Sequence, residues 1–255
     1  MPRGILTSAT TWPTQLILVR HGQSIGNLAD EQARAARAPR LDLEFRDADV
    51  PLSDTGREQA EALGRHLAKL PDTELPEAVV SSPYRRAAET AELALQTWGG
   101  EVDLLVDERL RERDLGVFDG MTRFGIQEEY AAEAQRRDLI GKFYYVPPSG
   151  ESWCDVSLRV RSIIRDLAGW EGRRVWLFTH QAVIMSFRYV LENLTERELL
   201  DIDRSERLPN CSMTRYRQED GRLLLDRFAD TSAVDRAAAP TTDEPSKTDR
   251  VGDVG

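Results

Sequence analysis

The chain has few cysteines and histidines and no long apolar run. Its 255 residues include two cysteines and three histidines. Cys154 and Cys211 form no CxxC pair, so we expect two reduced thiols and neither a disulfide framework nor a zinc site. No apolar run approaches about 18 residues, which argues against a transmembrane helix and a membrane partner.

Acidic residues outnumber basic ones. The chain has 34 Lys and Arg residues against 44 Asp and Glu residues, a net charge of −10. No basic field is available to neutralise a phosphate backbone, so a nucleic-acid partner is not expected. An anionic ligand has to be held by a local arginine cluster. Residues 1–13 contain one arginine, no lysine and no apolar core; they do not resemble a secretory signal, and we expect a cytoplasmic protein.

Short apolar runs alternate with helical patterns along the chain. The patterns predict strands over 16–20, 78–81, 102–106, 175–179, 212–217 and 223–228, and helices over 54–70, 84–98, 156–170 and 182–194. This alternation is typical of an α/β fold: a three-layer sandwich with a mostly parallel central sheet and helices on both faces. The closing pair of strands, around Asp220-Gly221, indicates an antiparallel hairpin at one edge.

The composition also predicts the domain organisation. From about Asp230 onward the chain is rich in Asp, Thr, Pro, Ser and Ala, with few large apolar residues. We expect a flexible N-terminal extension over 1–14, one catalytic domain over 15–229 and a disordered acidic tail over 230–255.

Two of the three histidines follow apolar runs directly. His21 comes after Leu16-Ile17-Leu18-Val19-Arg20, and His180 after Val175-Trp176-Leu177-Phe178-Thr179. The carboxyl ends of buried strands, before a helix, are where open α/β sheets build ligand sites. Arg20-His21-Gly22 offers a cation, a nucleophilic imidazole and a close backbone approach, which are the parts needed to hold and attack a phosphoryl group.

An ordered series of motifs then resembles the histidine phosphatase, or phosphoglycerate mutase-like, superfamily. The series consists of Arg20-His21-Gly22-Gln23-Ser24-x-x-Asn27, Pro51-Leu52-Ser53-Asp54-Thr55-Gly56, Ser81-Ser82-Pro83-x-x-Arg86-Ala87-x-x-Thr90, Arg111-Glu112-Arg113-x-x-Gly116, Gly150-Glu151-Ser152 and Thr179-His180. It spans residues 16 to about 216. The resemblance implies a phosphoglycerate mutase-like fold and phosphoryl-transfer chemistry.

Each predicted catalytic residue has a role that its chemistry allows. His21 is the predicted nucleophile, which forms a phosphohistidine. Arg20 and Arg86 are predicted to bind the phosphoryl oxygens, and His180, protonated beside the dianion, to stabilise the transition state. Glu112 is the predicted general acid that later activates water. Asn27 is predicted to donate a hydrogen bond to a phosphate oxygen, and no metal or other cofactor is needed.

Two of these assignments have alternatives, and the third histidine has none of these roles. Glu112 lies in a run of charged residues over 107–114 and could be one member of a solvated charge cluster. Arg85 could take the role of Arg86, although the Arg-Ala-x-x-Thr spacing favours Arg86. His66, in an amphipathic helical pattern, is expected to be a surface residue.

The region 120–190 resembles more narrowly the bisphosphatase domain of the bifunctional fructokinase/fructose bisphosphatase. The resemblance implies that Tyr130, Arg137, Lys142 and Gln181 contact the substrate and its distal phosphate. Met185 departs from that pattern, because the bisphosphatase has an arginine there. The Ala-, Arg- and Asp-rich segment 29–49 also replaces the short Gly-Trp-type segment of phosphoglycerate mutases, so the lid over the site is expected to differ.

The function predicted from the sequence is a metal-independent phosphatase that hydrolyses phosphomonoesters of small metabolites, sugar phosphates among them, through a phosphohistidine. Two alternatives remain: mutase-type phosphoryl transfer, and a catalytically weak domain that binds a phosphorylated ligand. A phosphoprotein substrate is also left open, as is the oligomeric state.

Overall fold

A computed structural model describes residues 12–243. Six strands form one mixed sheet in the order β3-β2-β4-β1-β5-β6. The strands are β1 (Gln15–Arg20), β2 (Ala78–Ser81), β3 (Leu104–Val106), β4 (Arg174–Thr179), β5 (Met213–Glu219) and β6 (Arg222–Asp230). The first four are parallel, and β5 and β6 add an antiparallel hairpin to β1. The predicted sheet and its edge hairpin are confirmed.

Helices cover both faces of this sheet. They are α1 (Ile25–Ala35), α2 (Asp54–Leu67), α3 (Arg85–Trp98), α4 (Arg123–Glu129), α5 (Ala131–Ile140), α6 (Trp153–Asp166), α7 (Gln181–Leu191), α8 (Glu196–Ser205) and α9 (Ser232–Arg236). Helices α2, α3, α6 and α7 were predicted with ends displaced by up to four residues, and α1 agrees with the helical spacing expected after His21. Helices α4, α5, α8 and α9 were not predicted.

Alternation along the central strands divides the core into two layers. Leu16 and Leu18 of β1 point to the layer formed by α6 and α7. Ile17 and Val19, the residues between them, point to the layer formed by α2 and α3. Successive side chains of a strand face opposite ways, so a buried parallel strand needs apolar residues at every position. This packing confirms the three-layer sandwich.

Both ends of the described chain pack more closely than the sequence predicted. The Trp12 indole donates to the Gly221 carbonyl, so the end of the predicted flexible extension is fixed on the edge hairpin. Within the predicted tail, α9 buries Ala233 and Val234, and the chain continues in hydrogen-bonded contact to Asp243. The prediction of disorder from residue 230 is wrong for 231–243, because two small apolar side chains suffice to dock a short helix. The remainder, 1–11 and 244–255, lies outside the described residues.

Candidate active site

The two histidines lie side by side because their strands are neighbours in the sheet. β1 and β4 pair in parallel with Arg20 opposite Thr179, so the residues that follow leave the same edge. The His21 backbone N–H donates to the Thr179 carbonyl at 3.0 Å. The ring centroids of His21 and His180 are 5.1 Å apart, and both side chains are buried. The predicted pair is therefore brought together.

The loop after β1 fixes the tautomer of His21. A Cβ atom on Gly56 would stand 2.0 Å from the Gln23 carbonyl oxygen, and one on Gly22 would stand 2.6 Å from the Gly56 oxygen. The loop can therefore lie against the start of α2 only with glycine at both positions. His21 Nδ1 is 2.7 Å from the Gly22 carbonyl oxygen. A carbonyl oxygen can only accept, so Nδ1 carries a proton, and in the neutral ring Nε2 is the nitrogen with the free lone pair.

His180 is held in a buried and cationic environment. Its Nε2 is hydrogen-bonded to Ser82 Oγ at 2.9 Å, and the Tyr84 ring meets its ring edge-on at 5.4 Å between centroids. Burial, followed by the positive charge of Arg86 and by His21, lowers the pKa of His180 well below 6.5. The predicted imidazolium therefore requires the negative charge of a bound phosphoryl group, which would raise this pKa.

Both predicted phosphate-binding arginines are buried next to the histidines. The Arg20 guanidinium donates to the Leu208 carbonyl, and the Arg86 side chain is 4% exposed. Thr90 connects the second arginine to the nucleophile loop, since its hydroxyl accepts from Gly22 N at 2.9 Å and donates to the Arg86 carbonyl at 2.6 Å. Arg85 instead pairs with a glutamate on the surface and is 48% exposed. Arg86, and not Arg85, is therefore the buried arginine of this pair.

An acidic side chain already pairs with Arg86. The two terminal nitrogens of Arg86, Nη1 and Nη2, donate to Asp47 Oδ1 at 3.1 Å and Oδ2 at 3.2 Å. Nη1 also donates to the Asp47 carbonyl at 2.6 Å. Asp47 begins a short 3₁₀ turn, Asp47–Asp49, within the segment that departs from the mutase pattern.

Glu112 stands half-buried on a loop that is clamped from two sides. Its Oε1 accepts from the Arg113 backbone N–H at 2.8 Å. The Arg159 guanidinium donates to the Glu112 carbonyl at 3.2 Å and to both carboxylate oxygens of Glu151, at 3.0 and 3.1 Å. Glu151 also accepts from Arg111. The Gly-Glu-Ser motif thus supplies the carboxylate that positions this loop, and Glu112 belongs to an ordered element.

A second polar cluster joins two of the predicted substrate contacts. Asp203 on α8 is buried, with its side chain 1% exposed; its Oδ2 accepts from Lys142 Nζ at 2.9 Å and its Oδ1 from Gln181 Nε2 at 3.2 Å. The Trp153 ring lies 5.6 Å from both Lys142 Nζ and the Arg113 guanidinium carbon. Burial lowers the pKa of Arg113. Lys142 and Gln181 therefore share one buried carboxylate, and their role as substrate contacts stays a prediction.

The remaining predicted contacts, Asn27, Tyr130 and Arg137, lie on α1, between α4 and α5, and on α5. The Asn27 Oδ1 atom accepts from Ser24 N at 2.9 Å and thereby closes a capping box at the start of α1. Tyr130 lies between α4 and α5 with its ring on Phe118, 5.3 Å between centroids, and Arg137 is half-buried on α5. Met185 is buried in a small core cluster with Phe143 and Trp153.

Further residues that the sequence did not single out contact the candidate site. Ser82 and Tyr84 contact His180, and Asn210 Nδ2 donates to the His21 carbonyl at 3.1 Å. Ser82 lies inside a quoted motif and could have been found there. No sequence pattern marks Asp47 or Asp203, because their ion-pair partners lie in distant parts of the chain.

Within 12–243 no group of three His, Cys, Asp or Glu side chains is placed to hold a metal ion. No helix in that range has the length and apolar character to cross a membrane.

Comparison with known proteins agrees with this geometry. Residues 16–231 match the histidine phosphatase superfamily, branch 1. The chain is 34% identical over 188 residues to a bifunctional protein of Mycobacterium tuberculosis, which covers 73% of this chain but only 46% of that relative. It is 30% identical to a probable phosphoglycerate mutase of Salmonella paratyphi C, over 90% of this chain and 98% of the relative. A solved mycobacterial glucosyl-3-phosphoglycerate phosphatase with VO3 superposes with a TM-score of 0.64 at 27% identity, covering 86% of this chain and all of that one.

These similarities confirm the family and fold that the motifs predicted. The narrower resemblance to the fructose bisphosphatase domain stays a prediction, since these relatives carry other names. With the match extending over most of its length, the chain belongs to the histidine phosphatase superfamily.

Proposed function

We propose that the protein is a metal-independent phosphatase that hydrolyses phosphomonoesters of small metabolites through a phosphohistidine. One observation carries the proposal: His21 holds its proton on Nδ1, which leaves Nε2 as a nucleophile beside His180 and two buried arginines. Neutral imidazole is the nucleophilic form, and cations around the phosphoryl group stabilise its transition state.

The reaction takes two displacements. His21 Nε2 forms a bond to phosphorus while the ester oxygen leaves with a proton from Glu112. Glu112, now a carboxylate, takes a proton from water, whose oxygen attacks phosphorus; inorganic phosphate leaves and His21 is regenerated. Arg20, Arg86 and a protonated His180 balance the charge on the phosphoryl oxygens in both steps.

Lys142 and Arg113, two cations that lie against the Trp153 ring, are our candidates for contacting a second anionic group of the substrate. A phosphorylated sugar acid fits this description, and the relative named glucosyl-3-phosphoglycerate phosphatase supports its inclusion. The second candidate is a mutase, which returns the phosphoryl group to the substrate. It is favoured by the probable phosphoglycerate mutase whose whole length this chain nearly spans.

A phosphate-ester panel in EDTA tests the proposal. The panel holds p-nitrophenyl phosphate, sugar mono- and bisphosphates, phosphoglycerates, glucosyl-3-phosphoglycerate and nucleotides, each assayed with wild type and His21→Ala. Phosphate release that survives EDTA and is lost in His21→Ala is the expected result. Isomerisation of phosphoglycerate without phosphate release would replace the phosphatase with the mutase. Binding of a phosphorylated ligand without either reaction would leave the catalytically weak binding domain as the remaining hypothesis.

A further inference from the structure

Ser82 meets His180 because their strands are neighbours in the sheet. β2 pairs in parallel with β4, with Ser81 opposite Phe178, so the residues that follow the two strands leave the same edge. The Ser82 N–H donates to the Phe178 carbonyl at 2.9 Å, and Ser82 Oγ lies 2.9 Å from His180 Nε2. Ser82 and His180 are both fully buried. The serine hydroxyl is therefore held against the second histidine by the sheet itself.

The hydrogen bonds of the Ser82 hydroxyl decide which nitrogen of His180 carries the proton. A hydroxyl has one hydrogen to donate and two lone pairs that accept. One lone pair of Ser82 accepts from the Tyr84 N–H at 3.1 Å, and within 12–243 His180 Nε2 is the acceptor available to the hydroxyl hydrogen. If the neutral ring carried its proton on Nε2, the hydroxyl hydrogen would be buried without an acceptor, which is unfavourable. The contact therefore favours the neutral tautomer with its proton on Nδ1.

The other ring nitrogen of His180 is the one left for a ligand. Nδ1 is buried and makes no hydrogen bond to any residue in 12–243. The His21 ring lies beside it, 5.1 Å between centroids, and the positive charges of Arg86 and Arg20 act on the His180 ring. A phosphoryl group on His21 would lie among these groups, and the Nδ1–H of His180 is a donor for one of its oxygens. A bare Nδ1 would instead present a lone pair to those oxygens.

We propose that Ser82 is a positioning residue, which keeps the Nδ1–H of His180 directed at the phosphoryl group in both charge states of the ring. The proposal rests on the phosphatase function proposed above. In the neutral ring the Ser82 hydroxyl donates to Nε2. In the imidazolium Nε2 also carries a hydrogen, and the hydroxyl turns so that its second lone pair accepts from Nε2–H. Because a hydrogen bond from a charged donor is about twice as strong as a neutral one, Ser82 stabilises the imidazolium more than the neutral ring.

The nitrogen-15 NMR spectrum of the histidine rings tests this proposal without turnover. The chain has three histidines, and His180→Gln identifies the signals of His180. In wild type labelled at histidine, in phosphate-free buffer at pH 7.5, we expect His180 to carry its proton on Nδ1 and none on Nε2. Ser82→Ala should give a mixture of the two tautomers. Ser81→Ala is the matched control, because the Ser81 hydroxyl is equally buried but donates to the Ser82 carbonyl, and it should keep the wild-type spectrum.

Steady-state kinetics on the best ester of the panel give the second readout. The imidazolium of Ser82→Ala has lost the acceptor for its Nε2–H, so we expect kcat to fall about tenfold while KM stays within about threefold of wild type. Ser81→Ala should change neither constant. Ser82→Thr keeps the hydroxyl and should recover most of kcat together with the wild-type tautomer.

A proton on Nε2 in wild type overturns the proposal, and this result does not depend on the folding of any variant. An unchanged tautomer or an unchanged kcat in folded Ser82→Ala also overturns it, as does an equal loss of kcat in Ser82→Ala and Ser81→Ala. Failure of the enzyme claim looks different: wild type would hydrolyse no ester, while the spectra would still report the tautomer of His180. If esters are hydrolysed and Ser82→Ala resembles wild type in both readouts, only the role of Ser82 is lost.

Discussion

The Nδ1 atom of His21 lies 2.7 Å from the carbonyl oxygen of Gly22, the next residue in the chain. This contact places a proton on Nδ1, so in the proposed reaction the phosphoryl group should form its bond at Nε2. Enzyme quenched during turnover should therefore contain phosphohistidine phosphorylated at Nε2, identified by 31P NMR after alkaline digestion. His21→Ala should lose the signal and on the order of a thousandfold or more of kcat/KM. Phosphorylation at Nδ1 would contradict the assignment.

His180 predicts the direction in which stability depends on pH. Its pKa in the folded protein is well below 6.5, so below pH 6.5 the unfolded chain binds a proton that the folded chain does not. The free energy of unfolding should then fall as pH drops through 6.5, by at most about 1.4 kcal/mol per pH unit from this group. Urea denaturation between pH 7.5 and 5.5, in phosphate-free buffer, measures the slope.

His180→Gln should flatten that slope. His66 is the control, because burial lowers its pKa as well, but it is only partly buried, so His66→Gln should remove less of the slope. An unchanged slope in His180→Gln would mean that another group is responsible.

Glu151 should affect both stability and the general-acid loop. Replacing it by glutamine leaves the guanidinium of Arg159, 10% exposed, without its carboxylate, and we expect a loss of about 3 kcal/mol in the free energy of unfolding. The loop that carries Glu112 should become less ordered. We then expect kcat to fall by a larger factor than KM changes, and the acid limb of the kcat–pH profile to shift. Exposed Glu171→Gln is the control. A variant with lower stability but the wild-type pH profile would restrict Glu151 to a structural role.

The C-terminal residues that the structure describes should support the nucleophile loop. The Thr242 hydroxyl donates to Asn210 Oδ1 at 3.0 Å and accepts from Gln59 Nε2 at 2.9 Å; Asn210 holds the His21 carbonyl. We expect Thr242→Val to lower kcat/KM several-fold and stability by about 1 kcal/mol. Thr241→Val is the control, because the Thr241 hydroxyl donates to the exposed Asp235. It should change kcat/KM and stability little. Equal effects from the two variants would count against this role.

Lys142 should matter most for substrates with a second anionic group. Lys142→Met removes a cation and should raise KM about tenfold for 3-phosphoglycerate, with a smaller effect on p-nitrophenyl phosphate. Lys142→Arg keeps the charge beside Asp203 and should recover much of the loss. Exposed Lys69→Met is the control for the loss of a lysine. The same rise in KM for both substrates would remove the second anionic subsite from the proposal.

The family, the sheet and the two neighbouring histidines were accessible from the sequence. Continuous apolar runs identify strands buried on both faces, and the residues after parallel strands meet at one edge of the sheet. The positions of Arg20, His21 and His180 follow from these local patterns, whereas Arg86 was identified by the motif that resembles the family. The short helices α4, α5, α8 and α9 were missed, because their existence depends on packing more than on a wide apolar face.

Tertiary structure alone decided how the site is charged and held. The pairs Asp47–Arg86 and Lys142–Asp203 join residues 39 and 61 positions apart, and no local periodicity encodes such contacts. The same holds for the lowered pKa of His180, which depends on burial and on arginines from other elements. Sequence determines which groups stand at the ends of strands, whereas the distances among them, and hence their charge states and partners, exist only once the chain has folded.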